Sequence, residues 1–171
     1  MTFEQNYFQL LSLPVAFDVD ASALQAAYLT LQTQFHPDRF VNATSQEQRL
    51  SVQFIAHLNE AKQCLEDDVK RGYYLLELLH ETVPEERTID DMEFLMAQME
   101  LREQGEALVV QGDADALRSF QQSIQAQYEE LRSHLSSQLA DALWNDAAVS
   151  LAKLQFFQKL SNEVSQANKV N

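Results

Sequence analysis

Apolar residues recur every three or four positions along almost the whole chain, a rhythm that belongs to α-helices. Leu24, Tyr28, Leu31 and Phe35 form one narrow stripe. Leu50, Phe54, Ala61 and Leu65 form a second, and Leu117, Phe120, Ile124, Leu131 and Leu135 a third. Hairpin-rich sheets need frequent turn residues, yet only three glycines and three prolines are spread over 171 residues. Ala, Gln, Glu and Leu, all good helix formers, are abundant. The expected fold class is all-α. At 46% apolar residues the chain has the means to bury a core.

The punctuation divides the helices. A short first helix, about Asn6–Leu11, carries Tyr7, Phe8 and Leu11 and is closed by Pro14. Asp20 or Ser22 caps the next, which Pro37 stops, because a residue before proline is pushed out of the helical region. After a polar loop, Asn42–Ser45, Thr44 or Ser45 caps a long helix to about Glu66, with Glu47 in its first turn. A helix from about Asp68 follows, with Val69, Tyr73, Leu76 and Leu79 on its stripe. The polar stretch 80–88, which contains Pro84, reads as a linker between a unit at 1–79 and another at 89–171. Three longer helices are expected beyond it, at about Ile89–Val110, Asp113–Leu139 and Asp146–Ala167. Gly112 suits a helix C-terminus, and Trp144 is expected in the turn before the last helix as a packing anchor. Short turns between long helices make an antiparallel three-helix bundle.

Charge narrows the functions. The net charge is −14, and neither half is basic: residues 1–80 carry five Lys/Arg against ten Asp/Glu, and 81–171 seven against sixteen. The long-range field therefore repels nucleic acid and anionic membrane, so neither is an expected partner. One cysteine, Cys64, excludes an intrachain disulfide and suits a reducing compartment. MTFEQNYF has no secretory or mitochondrial signal character, and no run of about 18 apolar residues exists. The expected location is the cytoplasm.

The most informative local motif is His36-Pro37-Asp38, between a stripe that ends at Phe35 and a polar loop. Pro37 fixes φ and ends the helix, which leaves an imidazole and a carboxylate at the tip of a helical hairpin. A carboxylate there can accept charge-assisted bonds from a partner's arginine. Short helix, helix, His-Pro-Asp, long helix, short helix is also the order of a J-domain, and residues 3–78 resemble one. Asn59-Glu60-Ala61 and Lys70-Arg71 in LNEAKQCLEDDVKRGYYLL fall where that family usually has them. The resemblance implies that His36, Pro37 and Asp38, with Arg39 beside them, engage a DnaK-type chaperone and stimulate its ATPase. The chain departs from the family pattern on the second helix: residues 21–35 contain no Lys or Arg, and Gln25, Gln32 and Gln34 are the polar residues. Steering toward the chaperone is then weaker or differently placed.

The second unit resembles the C-terminal bundle of HscB-type co-chaperones over about residues 89–160, chiefly in EFLMAQMELREQ and AKLQFFQKL. At about 100° per residue, Phe94, Leu101, Gly105 and Leu108 share one face of its first helix. Met92, Leu95, Met96 and Met99 lie on the opposite side, so a single core cannot cover both. Glu103 continues that second face, with Glu100 and Arg102 flanking it. In the last helix Leu154, Phe157, Leu160 and Val164 define the core side. Phe156 lies about 90° off that stripe and is expected to be partly exposed. The resemblance implies that Leu95, Met96, Met99, Glu100, Arg102, Glu103 and Phe156 bind an iron–sulfur cluster scaffold protein (IscU-like), which is delivered to the (HscA-like) chaperone. Met99 stands where the family often has leucine, and Ala107 where it is often acidic.

No catalytic apparatus is expected. There is no phosphate-binding Gly-rich loop and no Cys-x-x-Cys, so neither nucleotide hydrolysis nor a zinc site is anticipated. A single Glu-x-x-His, Glu77 to His80, falls short of the paired motifs of a di-iron bundle. His57 and Cys64 read as core-edge packing residues. No cofactor, metal or enzymatic activity is expected. Three rival readings stay open: an adaptor for a different client, self-pairing through the Met-rich face, or a di-iron enzyme that metal analysis would reveal.

Overall fold

The computed structural model describes residues 5–79 and 91–170, with side chains to residue 167. The chain divides after Leu79 into two compact units. The predicted linker at 80–88, the start at Ile89, and His80 lie outside the described residues. Every regular element among the described residues is helical.

The first unit contains α1 (Tyr7–Leu10), α2 (Ala21–Phe35), a 3-10 turn (Pro37–Phe40), α3 (Ser45–Glu66) and α4 (Asp68–Leu79). Caps set the boundaries. The Asn6 side chain and Gln9 satisfy one another's backbone N–H at α1, and Thr44 and Glu47 do the same at α3. Asp20 accepts the N–H groups of Ser22 and Ala23, so it, and not Ser22, caps α2. The helices α2 and α3 run antiparallel. The Tyr28 hydroxyl donates to Asn59 Oδ1 (2.9 Å) toward one end, and the Phe35 and Phe54 rings meet at 4.5 Å toward the other. Phe8, Leu11, Leu24, Leu58, Leu65, Leu75 and Leu76 are almost fully buried. Leu79, expected on the α4 stripe, is 47% exposed at the helix end, and Leu75 is buried instead.

One buried charge organises this unit. Arg71 is 4% exposed. Its Nε donates to the Phe17 carbonyl (2.6 Å), one Nη to the Leu65 carbonyl, and the other to Asp68 Oδ1. Its guanidinium also lies 5.0 Å from the Phe17 ring centroid. The planar fork thus ties the loop before α2 to the α3–α4 junction, which a lysine's point charge cannot do. The Tyr7 backbone N–H adds a second tie to α4 through the Tyr74 hydroxyl (2.9 Å), with the two rings stacked.

The second unit is an antiparallel bundle of α5 (Met92–Gln111), α6 (Ala114–Ala140) and α7 (Trp144–Val170). Gly112 takes the left-handed conformation (φ 70°) that ends α5, and Asp113 caps α6. The turn after α6 is shorter than expected. Ala142 (φ 56°) reverses the chain within 141–143, so Trp144 is the first residue of α7 and does not lie in the turn. The core gathers Leu117, Phe120, Ile124, Phe156, Phe157, Leu160 and Val164, with Phe94, Leu101 and Leu108 of α5 packed against it. Gly105 lets α5 approach closely. A Cβ there would sit 3.1 Å from Val164 Cγ2 and 3.2 Å from Phe120 Cε1. Asp91 anchors the start of α5: one carboxylate oxygen caps Phe94 N–H (3.0 Å) and the other binds Lys153 Nζ of α7 (2.7 Å). These bonds, Lys153 first, hold the Asp91 carboxyl below its ordinary pKa.

Two stability outcomes follow from these contacts. Arg71→Leu strands buried carbonyls and a carboxylate, and is expected to cost about 3 kcal/mol. Hydrogen exchange in α1 and α4 should rise, and exchange in the bundle should not. At Gly105, alanine gains about 1 kcal/mol of helix propensity and loses a similar amount to the small shifts it forces, so its effect should be near zero. Gly105→Val overpacks the same gap and should destabilise by about 2 kcal/mol. Urea unfolding followed by the single tryptophan, Trp144, reads both variants.

Candidate functional site

Pro37 makes the first feature. It forces His36 out of the helix (φ −56°, ψ 133°), so α2 stops at Phe35 and the chain enters the 3-10 turn with proline at its start. The corner is held from behind. Ser51 of α3, fully buried, donates its hydroxyl to the Phe35 carbonyl (3.0 Å), and Phe35 rests on Phe54. In front, the side chains remain in water: Asp38 is 87% exposed and His36 49%. His36 Nδ1 accepts the Asp38 backbone N–H (3.3 Å) and lies 3.5 Å from the Asp38 carboxylate. With Nδ1 acting as acceptor, a neutral ring carries its proton on Nε2. Arg39, also exposed, reaches the Thr33 carbonyl at 3.5 Å. His36, Pro37, Asp38 and Arg39 therefore form one corner, as their sequence order required. The 3-10 turn that shapes the corner was not anticipated.

On α2 the lack of basic residues leaves a neutral surface. Gln25, Leu29 and Gln34 are exposed, and Gln32 is half-buried, donating to the Tyr28 hydroxyl (3.1 Å).

The second feature is the outer face of α5. Met92 is 73% exposed, Met99 65%, Met96 59% and Leu95 39%. Glu100, Arg102 and Glu103 are exposed beside them. The opposite side of the helix carries Phe94, Leu101, Gly105 and Leu108 toward the core, as the wheel positions indicate. The face runs further than the sequence reading placed it. Val110, 85% exposed, returns to the angle of Met92 five turns later, a position the same wheel contains.

Phe156 does not join this face as expected. It is 6% exposed and belongs to the core. Its ring packs edge-to-face on Phe94 (5.7 Å) and against Phe157 (5.3 Å). Because α5 lies against this side of α7, the buried arc of α7 is wide enough to include a residue 90° from its centre. Phe156 meets the outer face through Arg102, whose guanidinium lies 5.7 Å from its ring. Ala107 is exposed.

Other reactive groups are quiet. Burial pushes the Cys64 thiol up to about 11, and its Sγ lies 3.8 Å from the Lys70 carbonyl. His57 is half-buried at the edge of the core. Among the described residues no group of His, Cys, Asp or Glu could hold a metal ion, and no helix is long and apolar enough to cross a membrane. Glu77 is exposed, and its expected partner His80 lies outside the described residues.

Comparison with known proteins adds a consistent picture. Residues 90–165 match the family model of the HSCB C-terminal oligomerisation domain. A co-chaperone protein HscB homolog of Vibrio cholerae is 40% identical over 163 residues, covering 94% of this chain and 95% of its own. The solved structure of chaperone HscB from Vibrio cholerae, 38% identical, superposes with a TM-score of 0.87, covering 96% of this chain and 98% of that one. Human co-chaperone HscB, 25% identical, gives 0.86 over 97% of this chain and 83% of its own. Extended identity along nearly the whole chain, on a shared helical architecture, leads to one conclusion: the chain belongs to the HscB family of co-chaperones.

Proposed function

We propose that this co-chaperone binds an iron–sulfur cluster scaffold protein along α5, delivers it to a DnaK-type chaperone, and stimulates that chaperone's ATPase, so aiding the maturation of iron–sulfur proteins. The observation that carries the reading is the exposed His36-Pro37-Asp38 corner, braced from behind by Ser51 and Phe54. In this reading the Asp38 carboxylate accepts charge-assisted hydrogen bonds from an arginine of the chaperone. His36 orients the corner through its bond to the Asp38 backbone. The chemistry belongs to the partner's own nucleotide site. This chain supplies proximity and differential affinity for the chaperone's hydrolysis-competent state.

The α5 face supplies the scaffold contact through Leu95, Met96, Met99, Glu100, Arg102 and Glu103, an apolar strip with a charged rim. Methionines suit such a surface because the thioether stem adapts its shape to a partner. Phe156 acts from beneath, by supporting Phe94 and the Arg102 guanidinium. The location that fits this role is the cytoplasm, where one shielded thiol is ordinary.

A second occupant is favoured by one specific feature. The matched family model is described as an oligomerisation domain, and self-pairing through the Met-rich face of α5 is the reading that this description favours.

Two measurements test the reading. Asp38→Asn and His36→Gln should each bring chaperone ATPase stimulation close to the basal rate while helicity stays at the parent level, since a lost charge-assisted contact is worth about 2 kcal/mol. Full stimulation by both variants would remove the corner from the mechanism. Leu95→Ala combined with Met99→Ala should weaken scaffold binding at least about ten-fold without changing stimulation by the corner alone. Unchanged binding, or a tight dimer of the free protein by sedimentation, would assign α5 elsewhere.

A further inference from the structure

The chain contains four methionines, and three of them, Met92, Met96 and Met99, project from one side of α5. Their spacing of four and three residues places them within about 60° of one another. They are 73%, 59% and 65% exposed, so an oxidant in solution reaches all three sulfurs without unfolding the helix. The other sulfur is different. Cys64 is half-buried in the first unit, with its Sγ against the Lys70 carbonyl, and burial suppresses the thiolate that reacts with oxidants. The accessible sulfur chemistry of the described chain is therefore thioether chemistry, concentrated on one face.

We propose that Met92, Met96 and Met99 form an oxidation site for hydroperoxides, at which sulfoxide formation reversibly weakens capture of the scaffold. This rests on the α5 reading given above. The step balances. A methionine sulfur lone pair attacks one peroxide oxygen, the O–O bond breaks and an S–O bond forms. The proton on the attacked oxygen passes to the departing oxygen, which leaves as water or alcohol, and the sulfur loses the two electrons that the peroxide gains. A flexible apolar thioether becomes a polar, chiral sulfoxide. Burying it against an apolar partner leaves its oxygen without the hydrogen bonds it had in water. Free α5 pays no such penalty, because its outer face is already solvated. The core side of the helix, Phe94, Leu101, Gly105 and Leu108, contains no sulfur, so the bundle should keep its fold while the face changes character.

The test uses the whole protein. It is treated with hydrogen peroxide, quenched with catalase and desalted. Peptide mass mapping should find one added oxygen on each of Met92, Met96 and Met99 before any on Cys64, with helicity unchanged by circular dichroism. Titration with the cluster-free scaffold protein should then show affinity lower by about ten-fold or more. Incubation with methionine sulfoxide reductases for both epimers and a thiol reductant should restore it. Chaperone stimulation in the absence of scaffold should be the same before and after treatment. Oxygen appearing first on Cys64 overturns the proposed site, and three mapped sulfoxides with unchanged scaffold affinity overturn its effect. If instead the untreated protein binds scaffold and Leu95→Ala with Met99→Ala does not alter that binding, the α5 reading itself fails, and the mapping still decides where the oxidation falls.

Discussion

A helix that meets a proline must stop, and in the first unit everything of functional interest is arranged around that stop. Pro37 turns His36 into an extended conformation, so the last carbonyls of α2 need partners from elsewhere. Buried Ser51 supplies one by donating to Phe35. The Phe35–Phe54 contact then fixes the distance between α2 and α3 at the closed end of the hairpin. The outcome is a rigid base with a wet tip. Asp38 and His36 stay in solvent at the tip, while the helices behind them are locked. Partner contacts on a preorganised corner lose less free energy to ordering than contacts on a floppy loop.

The bundle solves a different problem. In α5 only Gly105 is buried, Phe94, Leu101 and Leu108 pack partly buried against the core, and a few specific attachments complete the contact. Close approach at Gly105 brings α5 against Phe120 and Val164, and the Asp91–Lys153 pair fixes its beginning. That economy leaves the other half of the helix free to carry Met92, Leu95, Met96 and Met99 in solvent. An apolar strip of this kind costs solubility, which the strongly acidic surface helps to offset.

Much of this was legible in the sequence because it is local. Periodicity located the helices, Pro37 and Gly112 marked ends, and the two faces of α5 followed from wheel angles alone. What escaped depends on contacts between distant residues. Arg71 reads as one more basic residue on a helix, and its burial is created by the Phe17 carbonyl, 54 positions away. Phe156 was misjudged because an angle from the stripe does not say how wide the buried arc is, and that width is set by where α5 lies. Trp144 joined α7 because Ala142 adopts a positive φ that sequence pattern does not announce for alanine. Each of these residues shapes or supports a surface more than it constitutes one.

The central claim is that two different surfaces of this chain serve two different partners. Amide chemical-shift mapping of the isotope-labelled protein tests it most directly, with the ATP-bound chaperone and the scaffold protein added in turn. The account predicts that the chaperone perturbs residues 36–39 and neighbouring α2, and that the scaffold perturbs 95–103 of α5. Chaperone-induced shifts confined to α5, or no response at residues 36–39, would contradict it.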